Sequence, residues 1–264
     1  MYKAYLRKAW KVGRTYYFMA LIGLLAVMVF VVAEIAFIIG TISPETIHGV
    51  KMPINEAVIF SKIMLTLILV SIISLFVSIL SSTIVLGTIQ ADIQNGVFEV
   101  LFGNGMDDSG LIKALYITGV SSFIIFYVLA EIMVIVALSL TAPFIISSLL
   151  SVIVLVPLGV GFFTAGFSVF VGLSKPKYFK ISTGFGATKN LAFTVVSLPS
   201  LIILILVLAP LITVAANSTS YPTALLQILN TVLVVTSIVM MMMSVIIAVK
   251  TPVNRVGLIT KGEE

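Results

Sequence analysis

Two carboxylates, Glu34 and Glu131, lie inside long apolar runs of this chain. A charged side chain at the centre of a membrane helix costs on the order of 3 kcal/mol, and less near an interface, so each calls for a physical reason. If both runs leave the same side of a bilayer, the rise of 1.5 Å per residue puts both groups at about the same depth, in the outer half. One reading has them reaching the interface or bonding neighbouring hydroxyls. The other places them at the outer mouth of a pathway, holding a cation or a polar group. A second set of polar groups, Ser71, Ser74, Ser78, Ser81 and Ser82, recurs at spacings of three and four and so shares one helical face. Such a stripe marks either close helix packing or a mildly polar wall.

Other chemistry is excluded by what the chain lacks. It has no cysteine, which removes disulfides, thiolate metal sites and cysteine nucleophiles. Its one histidine, His48, falls in a loop and cannot supply a histidine metal site. No GxxxxGK[ST] motif occurs, so no phosphate-cradling loop for ATP is present. Gly184-Phe185-Gly186 sits in a short basic stretch without a flanking strand and reads as flexible loop. No convincing cluster of nucleophilic or ionisable side chains falls within the apolar runs. The chain is therefore expected to be no enzyme and to hold no cofactor or metal of its own.

Composition then fixes the solvent. Of 264 residues, 60% are hydrophobic and only 9% charged, against about 25% charged in a soluble domain. Six runs are long enough to cross about 30 Å of hydrocarbon as helices: residues 17–39, 63–89, 114–138, 148–173, 193–215 and 225–249. They are continuous rather than alternating, which argues against barrel strands. The predicted fold class is an all-α integral membrane bundle forming one transmembrane domain over residues 1–264. The first run is too long for the core of a removable signal peptide and no small-residue cleavage site follows it, so it is expected to be retained.

Basic residues set the orientation. Lys3, Arg7, Lys8, Lys11 and Arg14 precede the first run, Lys113 lies between the second and third, and Lys175, Lys177, Lys180 and Lys189 lie between the fourth and fifth. Lys250, Arg255 and Lys261 follow the sixth, and only Lys51 and Lys62 fall on the other side. Both termini are predicted cytoplasmic. The net charge of +5 is thus a topological signal, and no nucleic-acid partner is expected. Residues 1–16 place Tyr2, Tyr5, Leu6, Ala9 and Trp10 opposite Lys3, Arg7, Lys11 and Arg14, which suits an interfacial helix lying on membrane lipid. The outer loops are short, and the sequon at Asn217 lies close to the membrane. Pro157 is expected to kink the fourth run, where Gly161, Ala165, Gly166 and Gly172 permit close packing. Met240–Met243 are read as lipid-facing or packing residues, and Pro199 and Pro210 interrupt the fifth run. No internal repeat is evident.

Residues 90–113 form the most informative polar segment. ADIQNGVFEVLFGNGMDDSGLIK (Ala91–Lys113) is longer than a connecting loop requires, and Val97, Phe98, Leu101 and Phe102 recur at helical spacing among Asp92, Glu99, Asp107 and Asp108. An apolar face on a polar segment must cover something. Asp107, Asp108 or Ser109 is also a suitable cap for the helix entering the third run.

These residues resemble the membrane subunits of type-2 ATP-binding-cassette exporters. That family shows an acidic lead-in and a pattern like E-x-G-T-L-E-x-L-L-x-x-P-[LM]-S between its second and third spans. Here Asp92 and Gln94 take the lead-in positions, Gly96, Val97, Phe98, Glu99, Leu101 and Phe102 match G-T-L-E-x-L-L with conservative changes, and Met106 and Asp107 follow. Gly105 replaces the usual proline, and Asp108 stands where a basic residue is common. The resemblance implies a permease that pairs with a second permease copy or relative and with two ABC ATPase subunits carrying Mg-ATP. It also implies that residues 90–113 are the coupling helix seated in the ATPase. Phe98, Leu101 and Phe102 would then anchor in a groove of the partner, while Glu99, Asp107 and Asp108 met its basic rim. The alternative class is an ATP-independent, ion-coupled carrier or channel using Glu34 and Glu131.

Overall fold

The computed structural model describes residues 2–42, 53–178 and 223–260, together with Leu198, Ile202 and Ile205. Among these the chain is all-helical, without strands, and four helices are long and apolar enough to cross a membrane. In order, the elements are α1 (Tyr2–Thr41), α2 (Ile54–Gln94), α3 (Val97–Gly103), α4 (Asp108–Thr141), α5 (Pro143–Ser174) and a 3₁₀ turn (Pro176–Tyr178). After these come α6 (Thr223–Val249) and α7 (Arg255–Ile259). The fifth apolar run (193–215), His48, Asn217 and Gly184-Phe185-Gly186 lie outside the described residues, apart from the three isolated positions above.

Two boundaries differ from the sequence reading. α1 continues unbroken from Tyr2 to Thr41, joining residues 2–16 to the first apolar run in one helix. No proline stands between them to break the backbone hydrogen-bond ladder. α2 has 41 residues, about 60 Å at 1.5 Å per residue, and so extends well beyond the hydrocarbon thickness. At the other extreme, α4 and α5 are joined by Ala142 alone, and Pro143 takes the first helical position of α5, where its missing N–H costs nothing.

α5 is the central helix, packed on both α2 and α6, while α1 lies against α4 and α2. The two faces of α5 use small residues differently. Gly166 abuts α6 so closely that a Cβ there would stand 2.5 Å from the backbone oxygen of Ser244. The Ser244 hydroxyl in turn donates to the Phe162 carbonyl and lies 3.0 Å from the Tyr116 hydroxyl. On the other face, Gly161 meets Val77 of α2 and Phe123 of α4. Pro157 lies within α5 and removes one backbone donor, and the Tyr127 hydroxyl donates to the nearby Val154 carbonyl at 3.0 Å.

The buried apolar residues divide into two clusters. One fills the body of the bundle around Met28, Ile73, Phe123, Phe126 and Val152. The other surrounds Phe98 and includes Leu86, Ile89, Leu111, Leu115, Leu173 and Leu258. This second cluster lies where α2 ends, α4 begins and α5 and α6 end, so these termini share one end of the molecule.

Candidate functional site

The segment between α2 and α4 is a turn, a short helix and a second turn. Gly96 takes a left-handed conformation (φ 64°) after Asn95 and lets the chain reverse into α3. α3 spans seven residues and closes with two backbone bonds, Met106 N–H to Leu101 O and Gly105 N–H to Phe102 O, each 3.0 Å. This is the Schellman arrangement, with Gly105 in the left-handed position. Its φ of 75° is one that proline, fixed near −65°, does not adopt. Met106 is buried and packs in the same cluster as Leu101, the apolar contact that accompanies such a cap.

Asp107 is the N-cap of α4, accepting from the Gly110 N–H at 3.2 Å and from the Ser109 hydroxyl. The Ser109 hydroxyl, first among several contacts, holds the Asp107 carboxyl below its ordinary range, because a donor favours the charged acceptor. Asp108 pairs with Arg255 of α7, whose Nη2 and Nε lie 2.8 and 2.9 Å from one carboxylate oxygen. The same guanidinium stands 4.9 Å from the centre of the Phe102 ring, a cation–π geometry.

The structure corrects the expected roles of individual side chains. Phe98 is fully buried within this chain, stacked on Phe102 at 6.0 Å between centroids, so in this structure it packs as a core residue. Leu101 and Phe102 are half-buried against the same cluster, and Asp108 already has a basic partner within the molecule. The outward face of α3 is instead Glu99, Val100 and Gly103, with Asn104 beyond, and Val100 is 62% exposed. Val97 and Gly96 are partly covered, while Asp92 at the end of α2 is buried. Sequence reasoning missed Val100, because spacing alone does not tell which side of a seven-residue helix faces the bundle. It also missed Arg255, although Asn254, which caps α7 by accepting from the Gly257 N–H at 3.0 Å, was a readable start signal.

The candidates within the bundle separate. Ser71, Ser74, Ser78, Ser81 and Ser82 are all buried on α2. Ser71 and Ser74 return their hydroxyls to the carbonyls of Leu67 and Val70, and Ser82 to that of Ile79. Ser78 alone bonds across helices, to Thr164 of α5 at 3.1 Å. The stripe is thus closed by its own backbone and by α5 except at Ser81, whose buried hydroxyl has no hydrogen-bond partner among the described residues. The two carboxylates also part company. Glu34 is exposed on α1, whereas Glu131 is 5% exposed on α4, and neither of its oxygens has a hydrogen-bond partner among the described residues. Nor are they level. Gly40 of α1 touches Thr141 of α4, and counting back from that contact sets Glu131 about 6 Å deeper than Glu34 at 1.5 Å per residue.

At the end opposite α3, a cleft of about 290 Å³ opens between α2, α5 and α6. Ile59, Phe144, Leu226, Ser148, Gln227 and Asn230 line it, and the buried Asn230 Oδ1 has no partner among the described residues. Among the described residues no group of acidic or histidine side chains is arranged to hold a metal.

The chain matches no protein-family model, and it has no match among curated proteins or solved structures. The helices themselves define the class: four of them long and apolar enough to span a bilayer suggest a membrane protein.

Proposed function

We propose that this chain is the permease subunit of an ATP-binding-cassette exporter, with six spans, both termini cytoplasmic, in the cell membrane. In this reading it acts beside a second permease and two soluble ATPase subunits that carry Mg-ATP. The observation that carries the proposal is α3: a seven-residue helix between two spanning helices, with Val100 and Glu99 turned outward. Among the described residues, Lys113, Lys175, Lys177, Lys250 and Arg255 gather at the same end, against Lys62 toward the other, and this favours its cytoplasmic placement. Phe98 and the Arg255 guanidinium over the Phe102 ring hold α3 to the bundle, so a push on α3 would be carried into α4 and α5. ATP binding and hydrolysis on the partner would favour two arrangements of the bundle differently, as any ligand-driven switch requires. The weakly polar spans suit a small or amphipathic cargo.

A second reading is favoured by one observation, the buried carboxylate of Glu131, which has no partner among the described residues. A charge held in that environment calls for a cation or a proton, as an ion-coupled carrier or channel would use. Glu34, exposed and at another depth, does not join it in one site. Everted membrane vesicles separate the two. The exporter stops when ATP is withdrawn and continues with an ionophore present; the carrier does the reverse, and that result would refute the proposal.

A further inference from the structure

We infer that the seam where α5 and α6 end is a binding site for an anionic phospholipid, with an acyl chain in an apolar groove and the phosphate among three lysines. The inference is independent of the coupling role given to α3.

Two cavities follow one another along this seam. The first is a groove of about 340 Å³ lined by Phe167 and Phe170 of α5 and Ile246 and Ile247 of α6, with Lys250 at its rim. Phe167 stacks between Phe163 and Phe170, with ring centroids 5.8 and 6.2 Å apart, and so forms a continuous apolar wall. The second is a polar pocket of about 110 Å³, lined by Ser174, Lys175, Lys177 and Asn254 among others. Hydrogen bonds fix their order. The Ser174 hydroxyl donates to the Phe170 carbonyl at 2.6 Å, one turn back on α5. The Asn254 N–H donates to the Leu173 carbonyl at 3.0 Å, so the chain that leaves α6 at Lys250 returns to the end of α5 four residues later. Groove and pocket are therefore flanked by the same two segments, about 6 Å apart along α5.

Depth and charge together name the occupant. The groove lies on helices long and apolar enough to span a bilayer, where acyl chains are the surrounding medium. Lys175 and Lys250 directly follow the last residues of those helices, and Lys177 lies two residues further, at the depth of headgroups; all three are exposed. Of the carboxylates at this end, Asp92 is buried, Asp108 is engaged by Arg255, and Glu99 and Asp107 line neither cavity. The charge lining the seam is thus of one sign, as in basic pockets between spanning helices that hold anionic headgroups. A neutral lipid would leave the lysines without an anion, and a free phosphate would leave the groove uncovered. A second copy seated symmetrically on the seam would bring two sets of three lysines together. An anionic phospholipid meets both the groove and the lysines.

The test follows thermal unfolding of the full chain in uncharged detergent with added phosphatidylglycerol, phosphatidylcholine or glycerophosphate. Phosphatidylglycerol is expected to raise the unfolding temperature, and the other two to leave it unchanged. Lys250→Gln should raise the half-maximal phosphatidylglycerol concentration about fivefold, and Lys175→Gln, Lys177→Gln and Lys250→Gln together should abolish the shift. Lys113→Gln, exposed at the same end but outside both cavities, should keep it. An equal shift with phosphatidylcholine or glycerophosphate, or an equal loss in Lys113→Gln, would overturn the site. In a second arm, phosphatidylglycerol with a photoreactive acyl chain is incorporated into vesicles carrying the full chain, and adducts are mapped by mass spectrometry. Adducts should concentrate on the α5 and α6 segments around Phe167 and Ile246. Even labelling of all the spanning helices, or none at this pair, would overturn the groove as its seat.

Discussion

The two ends of the bundle are built on opposite principles. At the α3 end the turns are closed by backbone hydrogen bonds, Asp107 caps α4, Asp108 is paired, and a buried apolar cluster locks four helix termini together. Toward the opposite end the described helices leave a cleft, and among the described residues neither Asn230 Oδ1 on its wall nor the buried Glu131 carboxylate has a partner. A tied end can receive a push and pass it on as a unit. An end with unmet polar groups and open volume has room to rearrange or to accept something.

Disrupting the tied end should have the largest effect. Phe98→Ala empties the centre of its cluster and is expected to cost about 3–5 kcal/mol, read as a large drop in the unfolding temperature of detergent-solubilised protein. An outward-facing Phe98 would give almost no change. Next in size is Gly166→Ala, whose methyl group would press on the Ser244 carbonyl and should cost about 1–3 kcal/mol by overpacking. An unchanged unfolding temperature would show that α5 and α6 are not held this closely.

The less satisfied region should respond in the other sense. Replacing an unpartnered buried carboxylate by a similar apolar group relieves its desolvation, so Glu131→Leu should leave the protein as stable or more stable. Glu34→Leu, on an exposed position, should change stability little. Marked destabilisation by Glu131→Leu would reveal a partner beyond the described residues.

Smaller effects return to the tied end. Arg255→Ala removes a half-exposed ion pair and a cation–π contact, each worth about 1 kcal/mol or less, and the part due to the pair should fade as salt is raised. Smaller still is the pH response of the cap. The Asp107 carboxyl is held below its ordinary range, so its contribution is present at neutral pH and is lost as pH falls through its folded value, below about pH 4. Asp107→Asn, which retains an accepting oxygen, should flatten that response.

The spanning helices were legible because continuous apolar runs declare themselves through composition alone, and α2, α4, α5 and α6 fall where those runs lie. α3 was legible too, from Asn95-Gly96 before it and Asn104-Gly105 after it. Its orientation was not. Periodicity puts Phe98, Leu101 and Phe102 on one face but does not reveal whether that face meets the bundle or a partner, and here α7, more than 140 residues away, helps to decide it. The serine stripe was visible as a face, yet its pairing with Thr164 depended on the packing of α5. Glu34 and Glu131 looked equivalent from position within their runs, and only the packing of α1 against α4 distinguishes an exposed carboxylate from a buried one.

The absence of native cysteine permits a direct test of the central claim, that the α3 end faces the cytoplasm and is covered there by an ATPase. Val100→Cys would be probed with a membrane-impermeant maleimide. The account predicts no labelling in intact cells, little in everted vesicles carrying the native assembly, and full labelling once peripheral proteins are stripped away. Labelling from outside intact cells, or equal labelling before and after stripping, would contradict it.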